Sequence, residues 1–162
     1  MILPLLAAIV APQLPVAEQN RRMAAYTHLP IRPCETATTP RDAIWIAAQA
    51  EGRPVAGCFE LSVQAVGDDR DGVYLNSERD YRDPRNVTVR LSHAAARDLR
   101  DAIGGATLGD ALVGRSLTVR GSVVRQRILF VSEGQPTGQY YYQTHVRVGD
   151  VRQIARPAPP PF

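Results

Sequence analysis

A chain of 162 residues, 44% of them hydrophobic, can bury one ordinary core without metal staples. Its net charge of +3, from 19 basic and 16 acidic residues, falls short of the concentrated basic face that a nucleic-acid binder usually presents. The bases are all arginine, as a GC-rich codon preference would produce, and the two cysteines lack the CxxC spacing of thiol redox catalysts.

Residues 1–17, MILPLLAAIVAPQLPVA, are apolar and uncharged, end on Pro15-Val16-Ala17, and give way abruptly to Glu18. That order predicts a short secretory signal peptide. It lacks a basic n-region, and Pro4, Pro12 and Pro15 argue against a spanning helix; a mis-assigned start or an apolar terminus is the alternative. Export predicts a periplasmic or secreted protein with no transmembrane anchor after signal removal. In that compartment Cys34 and Cys58 would pair as a disulfide worth roughly 3 kcal/mol, whereas cytoplasmic retention would leave two buried thiols.

Residues 18–38 hold few apolar side chains and read as an extended arm. Thr39-Pro40-Arg41-Asp42 then sets an N-cap, a first-turn proline and an N3 acid, predicting a helix over 40–51 that Gly52 and Pro54 stop. Its Trp45 is expected in the core, with a strand as the alternative for AIWIA. Phe59, Leu61, Val63 and Ala65 alternate with polar residues as one strand; GDDRDG turns the chain into Val73-Tyr74-Leu75, and a third strand covers Val87 to Leu91. Ser92 caps a second helix that ends at Gly104-Gly105. Leu117, Val119, Gly121 and Val123 alternate next, and the chain turns at SEGQPTG to return as YYYQTHVRV with Thr144, Val146 and Val148 inward. This order, with a helix before strand one and another between strands three and four, predicts a mainly β fold, an OB-like five-stranded barrel over 39–155, followed by a proline-rich tail at 156–162.

The segment YLNSERDYRDPRNVTVRL, the strand opening GRSLTVRG and the returning YYYQTHVRV resemble small bacterial OB-fold proteins of the cell envelope, over about residues 55–155. The resemblance is one of strands and turns. It implies a barrel and a binding surface, and it carries no catalytic residue, because such folds host many ligands.

Three clusters hold the candidate chemistry. GDDRDGVYLNSE overlays a calcium loop at Asp69, Asp71, Gly72 and Glu78, but Gly67 at the first position has no side-chain oxygen, so an acidic β-turn is the simpler reading. DYRDPRN sets Tyr81, Arg82 and Arg85 beside Asp80 and Asp83; local ion pairs would make it a structural loop, while a bidentate arginine grip with a stacking tyrosine would make it an anion site. Across the last hairpin, Arg125, Arg127, Tyr141, Gln143, His145 and Arg147 are expected on one face, either as a ligand surface or as an ordinary solvated row. The expected ligand-binding set is thus Tyr74, Tyr81, Arg82, Arg85, Arg125, Tyr141 and Arg147. The three histidines are not in metal-ligand spacing, Ser77, Ser92 and Ser122 sit in no nucleophile-elbow pattern and neither cysteine has a neighbouring base, so no cofactor, metal or enzymatic activity is expected. The functional expectation is a non-enzymatic binding module of the envelope whose partner is an envelope protein or an anionic ligand. A single-strand nucleic-acid-binding domain and a hydrolase or nuclease on the same barrel are the alternatives.

Overall fold

The computed structural model describes residues 34–103 and 106–155. The expected signal peptide, most of the arm, the Gly104-Gly105 helix stop and the proline-rich tail lie outside the described residues. Helix α1 spans Pro40–Gln49, and its Thr39 cap accepts the backbone N–H of Asp42 at 3.2 Å. Ala43 and Ala47, four apart and fully buried, form the face that meets the core. Trp45 lies half a turn from them and is 65% exposed, which corrects its expected place in the core. Two methyl groups let the helix lie close to the sheet, and the indole would hold it off.

The strands are β1 (Val55–Ser62), β2 (Ala65–Asp69), β3 (Gly72–Asn76), β4 (Val87–Leu91), β5 (Ser116–Ser132), β6 (Gln135–Val148) and β7 (Ile154–Ala155). Helix α2 (His93–Ala102), capped by Ser92, and a short α3 (Leu108–Leu112), capped by Thr107, lie between β4 and β5. A single 3-10 turn, Val151–Gln153, precedes β7. Neither α3 nor β7 is foreseen from the alternation, since a five-residue helix and a two-residue strand are too short to show a period.

The sheet runs β1-β5-β6-β4-β3-β2, with β7 also on β5. All named pairs are antiparallel except β4 with β6. The expected five-stranded OB barrel is therefore corrected to a mixed seven-stranded sheet whose hydrogen-bonded path has two ends, β1 and β2, with no ladder between them among the described residues. The division falls at one junction. Val63 bonds to Arg115 and Gly114 at the β5 side, whereas the next residue, Gln64, donates to Asn76 at the β3 side, so the run that alternation reads as one strand divides into two.

Inside the sheet, Val73 and Leu75, Val87, Val89 and Leu91, Val119 and Val123, and Val146 and Val148 point to one core with Phe59, Leu61 and Val63. Ala95, Ala96 and Leu99 of α2 and Leu108 and Leu112 of α3 close it. Cys34 and Cys58 form a disulfide with Cα atoms 5.9 Å apart, and Thr38 bridges to Phe59, so the segment before α1 is fastened to β1. Among the described residues no helix is long and apolar enough to cross a membrane.

Candidate ligand-binding hairpin

Beyond the body of the sheet, β5 and β6 continue as a two-stranded ribbon. The β1 ladder leaves β5 at Val123, and the β4 ladder does not reach β6 before Thr144, whereas β5 and β6 stay paired as far as Ser132 with Gln135. Residues 125–143 therefore extend past the body of the sheet, with Arg125, Arg127, Leu129, Tyr140 and Tyr142 exposed on one face, while Tyr141 and Gln143 on the other are half-buried beside the Tyr81 loop. The turn is Glu133-Gly134, with φ of 50° and 78°, the two positive values that a tight two-residue hairpin requires.

This turn decides which side chains share a face. In the observed register Arg125 is opposite Thr144, Arg127 opposite Tyr142, and Leu129 opposite Tyr140, so these residues stand together on one face. The Arg125 guanidinium lies 3.8 Å from the Tyr142 ring centroid and the Arg127 guanidinium 5.3 Å from that of Tyr140. The two rings meet edge to face at 5.5 Å. Leu129 and Val131 extend the patch, and Phe130, on the reverse side, packs on Tyr141 with ring centroids 5.2 Å apart. Neither Arg125 nor Arg127 meets a carboxylate among the described residues, and Glu133 in the turn is the one acid between residues 116 and 148.

The opposite face carries Tyr141, Gln143, His145 and Arg147. Gln143 donates through Nε2 to the Tyr141 hydroxyl and to the Tyr81 carbonyl, which leaves its Oε1 to accept from His145 Nε2 at 2.7 Å. His145 is thereby fixed as the Nε2–H tautomer, and its buried Nδ1 lone pair has no partner among the described residues. Burial, then the charges of Arg90 and Arg147, push its pKa down to about 4, so the ring is neutral at pH 7. Burial likewise raises the Tyr141 phenol, with Tyr81 adding to the effect and the nearby Arg82 opposing it.

The expected ligand set is thus divided. Tyr81, Arg82 and Tyr141 do come together: Arg82 lies 4.9 Å over the Tyr81 ring, and both act on the Tyr141 phenol. Tyr74 on β3 stands edge-on to His145 at 6.5 Å, on the same side as Arg147. Arg85 is committed to Asp83 through a two-point ion pair of 3.0 and 2.8 Å, which holds the Asp83 carboxyl down to about 2. Arg125 is on the other face of the hairpin, with Arg127. The loop that links these groups is braced from within, because Asn86 donates to Asn76, Thr88 and the Tyr81 carbonyl. In the GDDRDG turn, Asp69 accepts from the Asp71 backbone and the Tyr74 hydroxyl, as a structural Asx turn does. Sequence reading missed Tyr140, Tyr142 and Arg90. The run of three tyrosines was the available signal for the first two.

No family model matches this chain, and no curated protein matches it. Among solved structures it is similar to the crystal structure of a putative aspartyl-tRNA synthetase from Leishmania major Friedlin, with 11% identity and a TM-score of 0.39, over 86% of this chain and 26% of that one. The chain thus spans about a quarter of that protein, and a likeness of this degree carries neither fold nor function across. The envelope binding function and its alternatives, which were argued from a closed barrel, lose that foundation with the correction of the fold.

Proposed function

We propose that the domain is a docking module whose projecting β5–β6 ribbon grips an acidic protein surface. The observation that carries this reading is the Arg125–Tyr142 and Arg127–Tyr140 face, where two cations lie over exposed rings with no carboxylate among the described residues to neutralise them. Tyrosine, phenylalanine and arginine are the residues that protein interfaces favour at their centres, and lysine, glutamate and aspartate are those they exclude. Here the patch also includes Leu129 and Val131, large apolar side chains left in water at 44% and 62% exposure.

Rigid presentation supports the reading. The ribbon grows out of a buried sheet, so its rings are carried on paired strands rather than on a loose loop, and little ordering entropy is lost on docking. The disulfide supports action in an oxidising compartment, outside the cytoplasm. The ribbon's exposed groups bind rather than react, because stacked guanidinium groups and phenols offer no general base near neutral pH.

The test is photo-crosslinking from position 131, at the exposed side of the ribbon, in the cell that makes the protein. A discrete protein adduct is expected, which disappears when Arg125→Gln and Arg127→Gln are combined. Absence of any adduct, or one indifferent to both substitutions, would refute the reading.

A further inference from the structure

Away from the ribbon, the solvent face of the sheet brings two arginines side by side. Arg90 on β4 and Arg147 on β6 are direct register partners across the parallel ladder, and Tyr74 on β3 is the register partner of Arg90 on its other side. Their neighbours Val73 and Leu75, Val89 and Leu91, and Val146 and Val148 are buried in the core, so this row of three points outward. Like charges at register partners on neighbouring strands, whose backbones run about 4.8 Å apart, are unfavourable to each other unless a counter-charge lies near. One of the two is anchored: Arg90 donates to the Asp71 carbonyl at 3.0 Å. The Arg147 side chain is exposed and makes no hydrogen bond or ion pair among the described residues.

We propose that Arg90 and Arg147 form a site for a small oxyanion of the phosphate class, with the Tyr74 ring as one wall. An oxyanion between the guanidinium groups converts their repulsion into two charge-assisted contacts, and its several oxygens suit the forked N–H geometry of arginine. The Tyr74 hydroxyl is occupied with Asp69, so the tyrosine supplies a surface rather than a donor. Asp69 and Asp71 stand at the turn end of β2 and β3 and bound the site there, which favours a compact anion over an extended polymer. This site shares no residue with the Arg125–Tyr142 face and does not rest on the docking reading.

His145 provides an internal reporter. It stands on the same face, two residues before Arg147 on β6 and edge-on to Tyr74, and feels both arginines. A bound anion offsets their charge, so protonation of the imidazole becomes easier and its titration moves to higher pH. The charged groups that face it are Arg90 from β4 and Arg147 from its own strand.

The experiment is an NMR titration of the intact protein with inorganic phosphate, following the His145 ring and the arginine side-chain resonances, with sodium chloride at matched ionic strength as the reference. Expected are a saturable shift with phosphate alone, an upward move of the His145 titration, and about tenfold weaker binding in Arg147→Gln, the usual weight of one charged hydrogen bond. Arg97→Gln, on the exposed side of α2, retains wild-type binding. A shift matched by chloride, or one unchanged by Arg147→Gln, would overturn the proposal.

Discussion

The guanidinium carbon of Arg125 lies 3.8 Å from the ring centroid of Tyr142, on the exposed face of the β5–β6 ribbon. A stacked pair of this kind at an exposed site is worth about 0.5–1 kcal/mol, so it adds little to folding. Tyr142→Ala should therefore lower stability in urea by no more than about 1 kcal/mol. If the ring is a docking anchor, the same change weakens partner binding at least about tenfold, the scale of an interface hot spot. Parallel loss of stability and binding would place Tyr142 in the fold instead.

Acid sensitivity follows from His145. Its folded pKa, near 4, lies below the ordinary 6.5, so between those values the unfolded chain binds the extra proton and stability rises with pH. The contribution is present above pH 6.5 and is lost as pH falls toward 4, to an extent on the order of 3 kcal/mol. Urea unfolding of wild type and His145→Phe at pH 7 and pH 4.5 should show a much flatter profile in the variant. Asp83, held near 2, loses its favourable charge only below this window.

Reduction of the Cys34–Cys58 bond, which closes a separation of 24 residues, should cost about 3 kcal/mol by the loop-entropy account. Denaturant midpoints with and without reductant measure it. An unchanged midpoint would mean that the segment before α1 is held by its backbone bonds to β1 alone.

Two glycines are fixed by contact. A Cβ at Gly72, where φ is 148°, would fall 2.4 Å from the Leu91 carbonyl oxygen, and one at Gly121 would fall 2.7 Å from that of Arg147. Alanine at either position should destabilise by more than about 2 kcal/mol, through strain at a closely approached backbone. Gly67→Ala, with nothing near its Cβ, is the matched comparison.

Trp45, the single tryptophan, gives a direct optical check of the helix orientation. Its emission should be that of a solvated indole and be quenched readily by iodide, and Trp45→Ala should cost well under the 3–5 kcal/mol of burying and losing a large ring. Blue-shifted, protected emission would return Trp45 to the core.

How much of this was legible in the sequence depended on the range of the cause. The Thr39-Pro40 cap, the Ser92 cap and the inward set Thr144, Val146 and Val148 are local patterns, and they appear where periodicity puts them. Facing across the hairpin is another matter. A seven-residue turn at SEGQPTG aligns odd residues of β5 with odd residues of β6, and would unite Arg125 with Tyr141 and Arg147. The actual turn has two residues, so Ser132 pairs with Gln135, odd meets even, and Arg125 joins Tyr142 instead. The change of partner at Val63-Gln64, which turned an expected five-strand closure into a seven-strand path, is also long-range, since alternation along a strand cannot say which neighbour its backbone will bond.

The central claim is that the Arg–Tyr face recognises acidic polypeptide. Fluorescence anisotropy of a labelled glutamate-rich peptide, titrated with the intact protein at low and physiological salt, tests it most directly. Saturable binding that weakens with salt and is lost in the combined Arg125→Gln, Arg127→Gln protein is the predicted result. Binding that survives both substitutions, or no binding at low salt, would contradict it.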